Sequence, residues 1–102
     1  MGVNKMRNTV DFLRDIAGPL TLGNLLHSIR LGEELSQVEF AFKLGISKQN
    51  LCDIEHERRF VSPKMAEEFS KRTGYSSAQF VRLCLQDMLK RDGIHYEVEL
   101  VA

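Results

Sequence analysis

Apolar positions recur along most of this chain at three- and four-residue spacing, the repeat that gathers them on one face of a helix. Thr9 can cap a short helix whose Val10, Leu13 and Ala17 share a face, with Phe12 and Ile16 beside it, and Gly18-Pro19 ends it. Thr21 caps a second helix bearing Leu22, Leu25, Leu26 and Ile29, closed by the stretch LGEEL. Ser36 with Glu39 after it forms a capping box, so another helix follows, turning Phe40, Ala41 and Leu44 inward before Gly45.

Gly45 suits a positive φ angle, and Ile46 can plug the space between two crossing helices. Ser47 then opens a further helix at once. Leu51 and Ile54 face inward on it, Lys48, Gln49, Cys52 and Asp53 face away, and Asn50 lies at the flank. After RRFVS, Pro63 begins a helix running through Met65, Phe69 and Arg72 to Gly74. A longer one carries Phe80, Leu83, Cys84 and Met88, with Val81, Leu85 and Leu89 alongside, until Gly93 stops it.

Only the end changes period. Ile94, Tyr96, Val98 and Leu100 alternate with His95, Glu97 and Glu99, which predicts a strand with one buried face. A lone strand cannot satisfy its backbone, and the rest of the chain offers no obvious second one. The expected partner is the same strand of a second copy, antiparallel across a two-fold axis; a frayed tail and a strand laid beside residues 1–8 are the alternatives. The expectation is therefore an all-α protein in three parts: an N-terminal helical extension (1–20), a helical domain (21–75), and a long helix plus C-terminal dimerisation strand (76–102).

Composition narrows what such a protein can do. The 14 basic and 14 acidic residues cancel, which excludes a histone-like coating of nucleic acid and leaves only a local patch for it. Between Lys43 and Arg59 there are four basic and three acidic residues, so counterion release, and with it non-specific binding, should be weak. Cys52 and Cys84 stand apart from each other and from any Cys/His cluster, which argues against a disulfide framework or structural zinc and for a reducing compartment. His27, His56 and His95 are scattered, no Gly-rich phosphate loop is present, and no paired carboxylates suggest acid–base chemistry. No enzyme activity, cofactor or metal is expected. The start lacks an apolar core of signal-peptide length and no run has the ~20 apolar residues of a membrane span, so a cytoplasmic protein is expected.

Over residues 21 to about 74 the chain resembles the helix-turn-helix domain of the phage Cro and lambda-repressor superfamily, also called the xenobiotic-response-element family of bacterial transcriptional regulators. The resemblance rests on a combination: Arg30, Ser36-Gln37, Ala41, Gly45, Ser47 and Ile54-Glu55. It implies a lambda-repressor-like five-helix domain whose helix after the turn lies in the major groove of double-stranded DNA. Lys48, Gln49 and Asp53 would then meet base edges, with Asn50 close to base or phosphate. Their chemistry suits that place, since a Gln amide pairs with adenine, a Lys donates to guanine, and an Asp accepts from the cytosine amino group. Asp53 is either a specificity element or a residue held out of the groove by Lys or Arg.

The same resemblance makes Gln37 a phosphate-clamping amide beside the helix N-terminus opened by Ser36, and puts Ser47, His56, Arg58 and Arg59 against the backbone. It pairs Arg30 with Glu55 in a partly buried salt bridge that fixes how the helix is presented. Where many relatives have Asn-Gly after the glutamate, this chain has His56-Glu57, so its helix cap is built differently or the helix runs on. Residues 76–102 resemble the dimerisation extensions of repressors and antitoxins, which implies a homodimer on an inverted-repeat operator. Three functions fit: a DNA-binding repressor, an antitoxin that also binds a toxin protein, and a protein-binding module with a disused DNA face. The third predicts an unbroken acidic or apolar surface where Lys48, Gln49 and Arg58 stand.

Overall fold

The computed structural model describes residues 20–101, which form an all-α globule of five helices: α1 (Leu22–Gly32), α2 (Gln37–Leu44), α3 (Lys48–Glu55), α4 (Pro63–Thr73) and α5 (Ser77–Arg91). The expected helix around Val10, Phe12, Leu13 and Ile16 lies outside the described residues.

Each helix starts where a short hydroxyl side chain can take the place of a missing helical acceptor. Thr21, Ser36, Ser47, Ser62 and Ser76 accept, respectively, from the backbone N–H of Asn24, Glu39, Asn50, Met65 and Gln79. At α2 the box is reciprocal, and the N–H of Ser36, then its hydroxyl, hold the Glu39 carboxyl below its ordinary pKa. The N-terminus of α1 has a second acceptor from far along the chain, because the Leu22 N–H donates to Asp87 Oδ2 on α5 at 3.0 Å.

The apolar stripes converge on one core. Leu22, Leu25, Leu26 and Ile29 of α1 meet Phe40 and Leu44 of α2, Leu51 and Ile54 of α3, Ala66 and Phe69 of α4, and Phe80 and Leu83 of α5. Burying a Leu, Ile or Phe fully stabilises by about 1.5–3 kcal/mol, so this cluster holds the short helices α2 and α3, which two turns of backbone bonding could not hold alone. Ile46 packs against it from the turn between them. Arg72 does not continue the apolar run of α4: it is exposed, pairs with Glu68 at 3.1 Å, and Ala66, Phe69 and Ser70 form the buried face instead.

Two close approaches fix the geometry around α3. A Cβ on Gly23 would collide with the carbonyl oxygen of Ile54, so α1 and α3 cross nearly backbone to backbone. Gly45 takes φ +78 as its position after α2 requires, with the Ile46 N–H returning to Ala41 O at 3.0 Å.

The expected strand does not form among the described residues. Residues 94–101 leave α5 through Gly93 without a ladder partner among the described residues, and Ile94, Tyr96 and Leu100 are exposed while Val98 is half-buried. The expected buried face is not seen either, because alternation of side chains is not enough for a strand, and a sheet also needs a second backbone. No described helix is long and apolar enough to cross a membrane.

Candidate nucleic-acid interface

Helix α3 carries two polar faces with different surroundings. Toward α1 and α2, the Glu55 side chain is only 2% exposed and its carboxylate is fully engaged. Arg30 donates from Nε to Oε2 at 2.8 Å and from Nη2 to Oε1 at 3.2 Å, and Gln37 Nε2 donates to Oε1 at 3.0 Å. His27 Nδ1 lies 3.3 Å from the same oxygen. Arg30 also donates to the carbonyl of Leu35, which ties the end of α1 to the entry of α2. Burial pushes the Glu55 carboxyl up, but the hydrogen bonds from Arg30, Gln37 and His27 and the charge of Arg30 outweigh it, so its pKa is lowered. The predicted Arg30–Glu55 pair is therefore present, and it is larger than a pair.

The solvent-facing side of α3 presents Lys48, Gln49, Asn50 and Asp53 in two successive turns. Lys48 and Gln49 are exposed, and Asn50 is half-exposed. The side chains of Lys48 and Asn50 have no hydrogen-bond partner among the described residues. Asp53 is half-buried and occupied: its Oδ1 accepts from Gln49 Nε2 at 3.0 Å and from Arg58 Nε at 3.2 Å, with Arg58 Nη2 at 3.0 Å. The arginine thus offsets the charge of Asp53, and the bond from Gln49 ties that amide to the same carboxylate.

Arg58 can reach back because the chain reverses at once after α3. His56 caps the helix and Glu57 takes φ 60, the left-handed conformation that glycine usually supplies. The N–H of Glu57 bonds Ile54 O at 3.1 Å and that of Arg58 bonds Asp53 O at 2.7 Å, the paired bonds of a Schellman turn. His56 Nδ1 lies 2.8 Å from Cys52 O, which requires the proton on that nitrogen, so its ring covers the helix end. Arg59 is exposed, and the Arg91 guanidinium lies 4.0 Å above the Phe60 ring, fastening this loop to α5.

Of the residues expected to hold phosphates, Ser47, His56, Arg58 and Arg59 are exposed, whereas one of the two amide N–H groups of Gln37 is already used on Glu55. What sequence reading misses is long-range: the donation of Gln37, the part of His27, and the Asp87 acceptor. A polar residue inside an otherwise apolar helical stripe was the available signal for Asp87. The two cysteines also separate in character. Cys84 donates to Val61 O at 2.9 Å and burial pushes its thiol up to about 11, so it stays protonated and inert; Cys52 lies half-exposed beside His56 and Arg58, each at 3.6 Å from its sulfur. No group of His, Cys, Asp and Glu among the described residues could hold a metal ion.

No protein-family model, curated protein or solved structure matches the chain.

Proposed function

We propose that this chain is a sequence-specific double-stranded-DNA-binding regulator of the Cro and lambda-repressor-like type, a homodimeric repressor that inserts α3 into the major groove of an inverted-repeat operator. The observation that carries this reading is the division of α3. Its inner face is locked by the Glu55 cluster, so the helix is rigidly presented, while the side chains of Lys48 and Asn50 have no partner among the described residues and the exposed Gln49 bonds only Asp53 beside it. Gln49 and Lys48 are the base readers, with Asn50 at base or phosphate. Asp53, held by Arg58, orients the Gln49 amide and can still offer Oδ2 to a cytosine amino group. Ser47, His56, Arg58 and Arg59 meet the backbone, and Gln37, with one amide N–H on Glu55, contributes through its second N–H and the backbone N–H groups of the helix N-terminus beside it.

Random-duplex selection with the purified protein tests this, followed by titration of the selected sequence at two salt concentrations. Enrichment of an inverted repeat with half-sites about one helical turn apart, ~34 Å, is the expected result. A folded protein that enriches nothing would overturn it.

A second reading has its own observation. Phe42 on the outer side of α2 is 87% exposed, with Val38 one turn before it also exposed. An apolar pair of this kind suits a protein partner, as an antitoxin that binds a toxin while regulating its own operon would need. Loss of co-purification of a neighbouring gene product on Phe42→Glu, with operator binding retained, is the outcome that would favour it.

A further inference from the structure

The loop after α3 does not close fully on α5. Between them, beside the first turn of α1, lies a cleft of about 270 Å³ whose walls include Leu22, Ile54, Val61 and Met88. That volume is near the lower end of the range for small-molecule sites, about 300–1,000 Å³, and suits a single ring with a short arm. Phe60 forms the lip: it is 46% exposed, and the Arg91 guanidinium 4.0 Å above its ring keeps it in place.

One carboxylate reaches this apolar wall. Asp87 is half-buried, its hydrogen bond among the described residues comes from the Leu22 N–H, and no ion pair joins it to a described cation. The basic groups are placed differently: Arg59 and Lys90 are exposed at the mouth, and Arg91 lies over Phe60. Burial, with the charge of Glu57 added, raises Asp87 to about 6 against the opposing pull of the Leu22 N–H, Lys90 and Arg91, so its charge is under-compensated. Acids displaced in this way cluster at functional sites.

We propose that this cleft binds a small organic cation, with an aromatic or branched apolar body seated against Phe60 and Met88 and one ammonium group on Asp87. The walls give the body a nonpolar seat, and the ammonium N–H donates to the carboxylate as well as opposing its charge. An anion of the same shape would meet Asp87 and Glu57 instead. Ile54 belongs to α3, and Glu57 is the left-handed residue of the turn that delivers Arg58, so a bound molecule touches both the apolar side of that helix and the turn after it. The inference does not depend on DNA binding.

An NMR titration of the full chain with phenethylamine, at a pH well above the pKa of Asp87, tests it without DNA. The methyl signals of Val61 and Met88 and the amide signals of Glu57 and Arg58 should shift and saturate. Phenethyl alcohol, the uncharged counterpart, should bind about 10-fold more weakly, and phenylacetate more weakly still. Asp87→Asn keeps an acceptor for the Leu22 N–H and should weaken the amine about 10-fold while leaving the alcohol unchanged. Phe60→Ala, at an exposed position, should weaken both. A folded protein without saturable shifts, phenylacetate binding as well as the amine, or an Asp87→Asn variant that loses amine and alcohol alike would each overturn it. So would contacts of the bound amine with Tyr96 in place of Met88, because Asp87 also borders the cleft toward residues 94–97. Contacts from Val10, Phe12 or Ile16 to Met88 without added ligand would overturn it as well, by making the chain's own N-terminal segment the occupant.

Discussion

Glu55 and Asp53 are neighbours on the same short helix, each paired with an arginine, and they differ in almost everything else. Glu55 is buried, and Arg30, Gln37 and His27 converge on it from α1 and α2. Asp53 lies at the surface, and its arginine comes from the exposed loop just after its own helix. The first arrangement joins three helices and has no slack; the second rearranges at little cost because water can replace any of its bonds. One carboxylate is therefore structural, and the other is available to a ligand.

The strongest way to break this contrast is to remove an arginine from each side. Arg30→Met leaves the Glu55 carboxylate buried among neutral donors and should cost about 3–5 kcal/mol in a urea titration, whereas Arg58→Met should leave the midpoint unchanged. Acid sharpens the same difference. The folded pKa of Glu55 is below its unfolded value, so its stabilisation is present above pH ~4.3 and is lost as pH falls through the folded value. The gap between the parent and Arg30→Met should therefore close in acid.

Next in size is the approach that sets the inner face against α1. Gly23→Ala places a methyl group on the Ile54 carbonyl, and the overpacking should cost about 1–3 kcal/mol, read from the same titration. Asp87 gives a smaller effect of opposite pH sign to that of Glu55. Burial raises it to about 6, despite the Leu22 N–H that it accepts, and the charge of Glu57 adds to the rise. Its contribution is fully present below its unfolded value and is lost as pH rises through about 6. Asp87→Asn should remove a component on the order of 1 kcal/mol from the stability profile between pH ~4 and ~6. The smallest change expected is a gain. Glu57 occupies a left-handed position at φ 60, so Glu57→Gly should stabilise by about 1 kcal/mol without moving the Schellman bonds that deliver Arg58.

What the sequence discloses is what depends on near neighbours. The capping residues Thr21, Ser36 and Ser47, the inward positions Leu51 and Ile54, and the left-handed Gly45 all follow from spacing and side-chain chemistry, because their partners lie within one turn. Glu57 shows the limit of that logic, since absence of glycine suggested a different cap and the chain keeps the glycine geometry with a glutamate. The segment at 94–100 has a strand's alternation without a strand, because pairing belongs to a second backbone and not to the pattern itself. Gln37 and Gln86 were the least legible residues. A glutamine on a half-exposed helix face has no preferred partner in sequence, and only the packing of α2 on α3, or the return of the chain past α5, brings Glu55 or Val98 within its reach.

The claim at the centre of this account is that the outer face of α3 reads bases while its inner face holds the fold. The direct measurement is the affinity of the parent protein and of Gln49→Ala for the selected duplex and for its single-base-pair variants, with the urea midpoint of both proteins alongside. The account predicts an unchanged midpoint and a loss of about 1–3 kcal/mol confined to one base pair in each half-site. An equal loss on every duplex, or a loss of binding that follows a loss of stability, would contradict it.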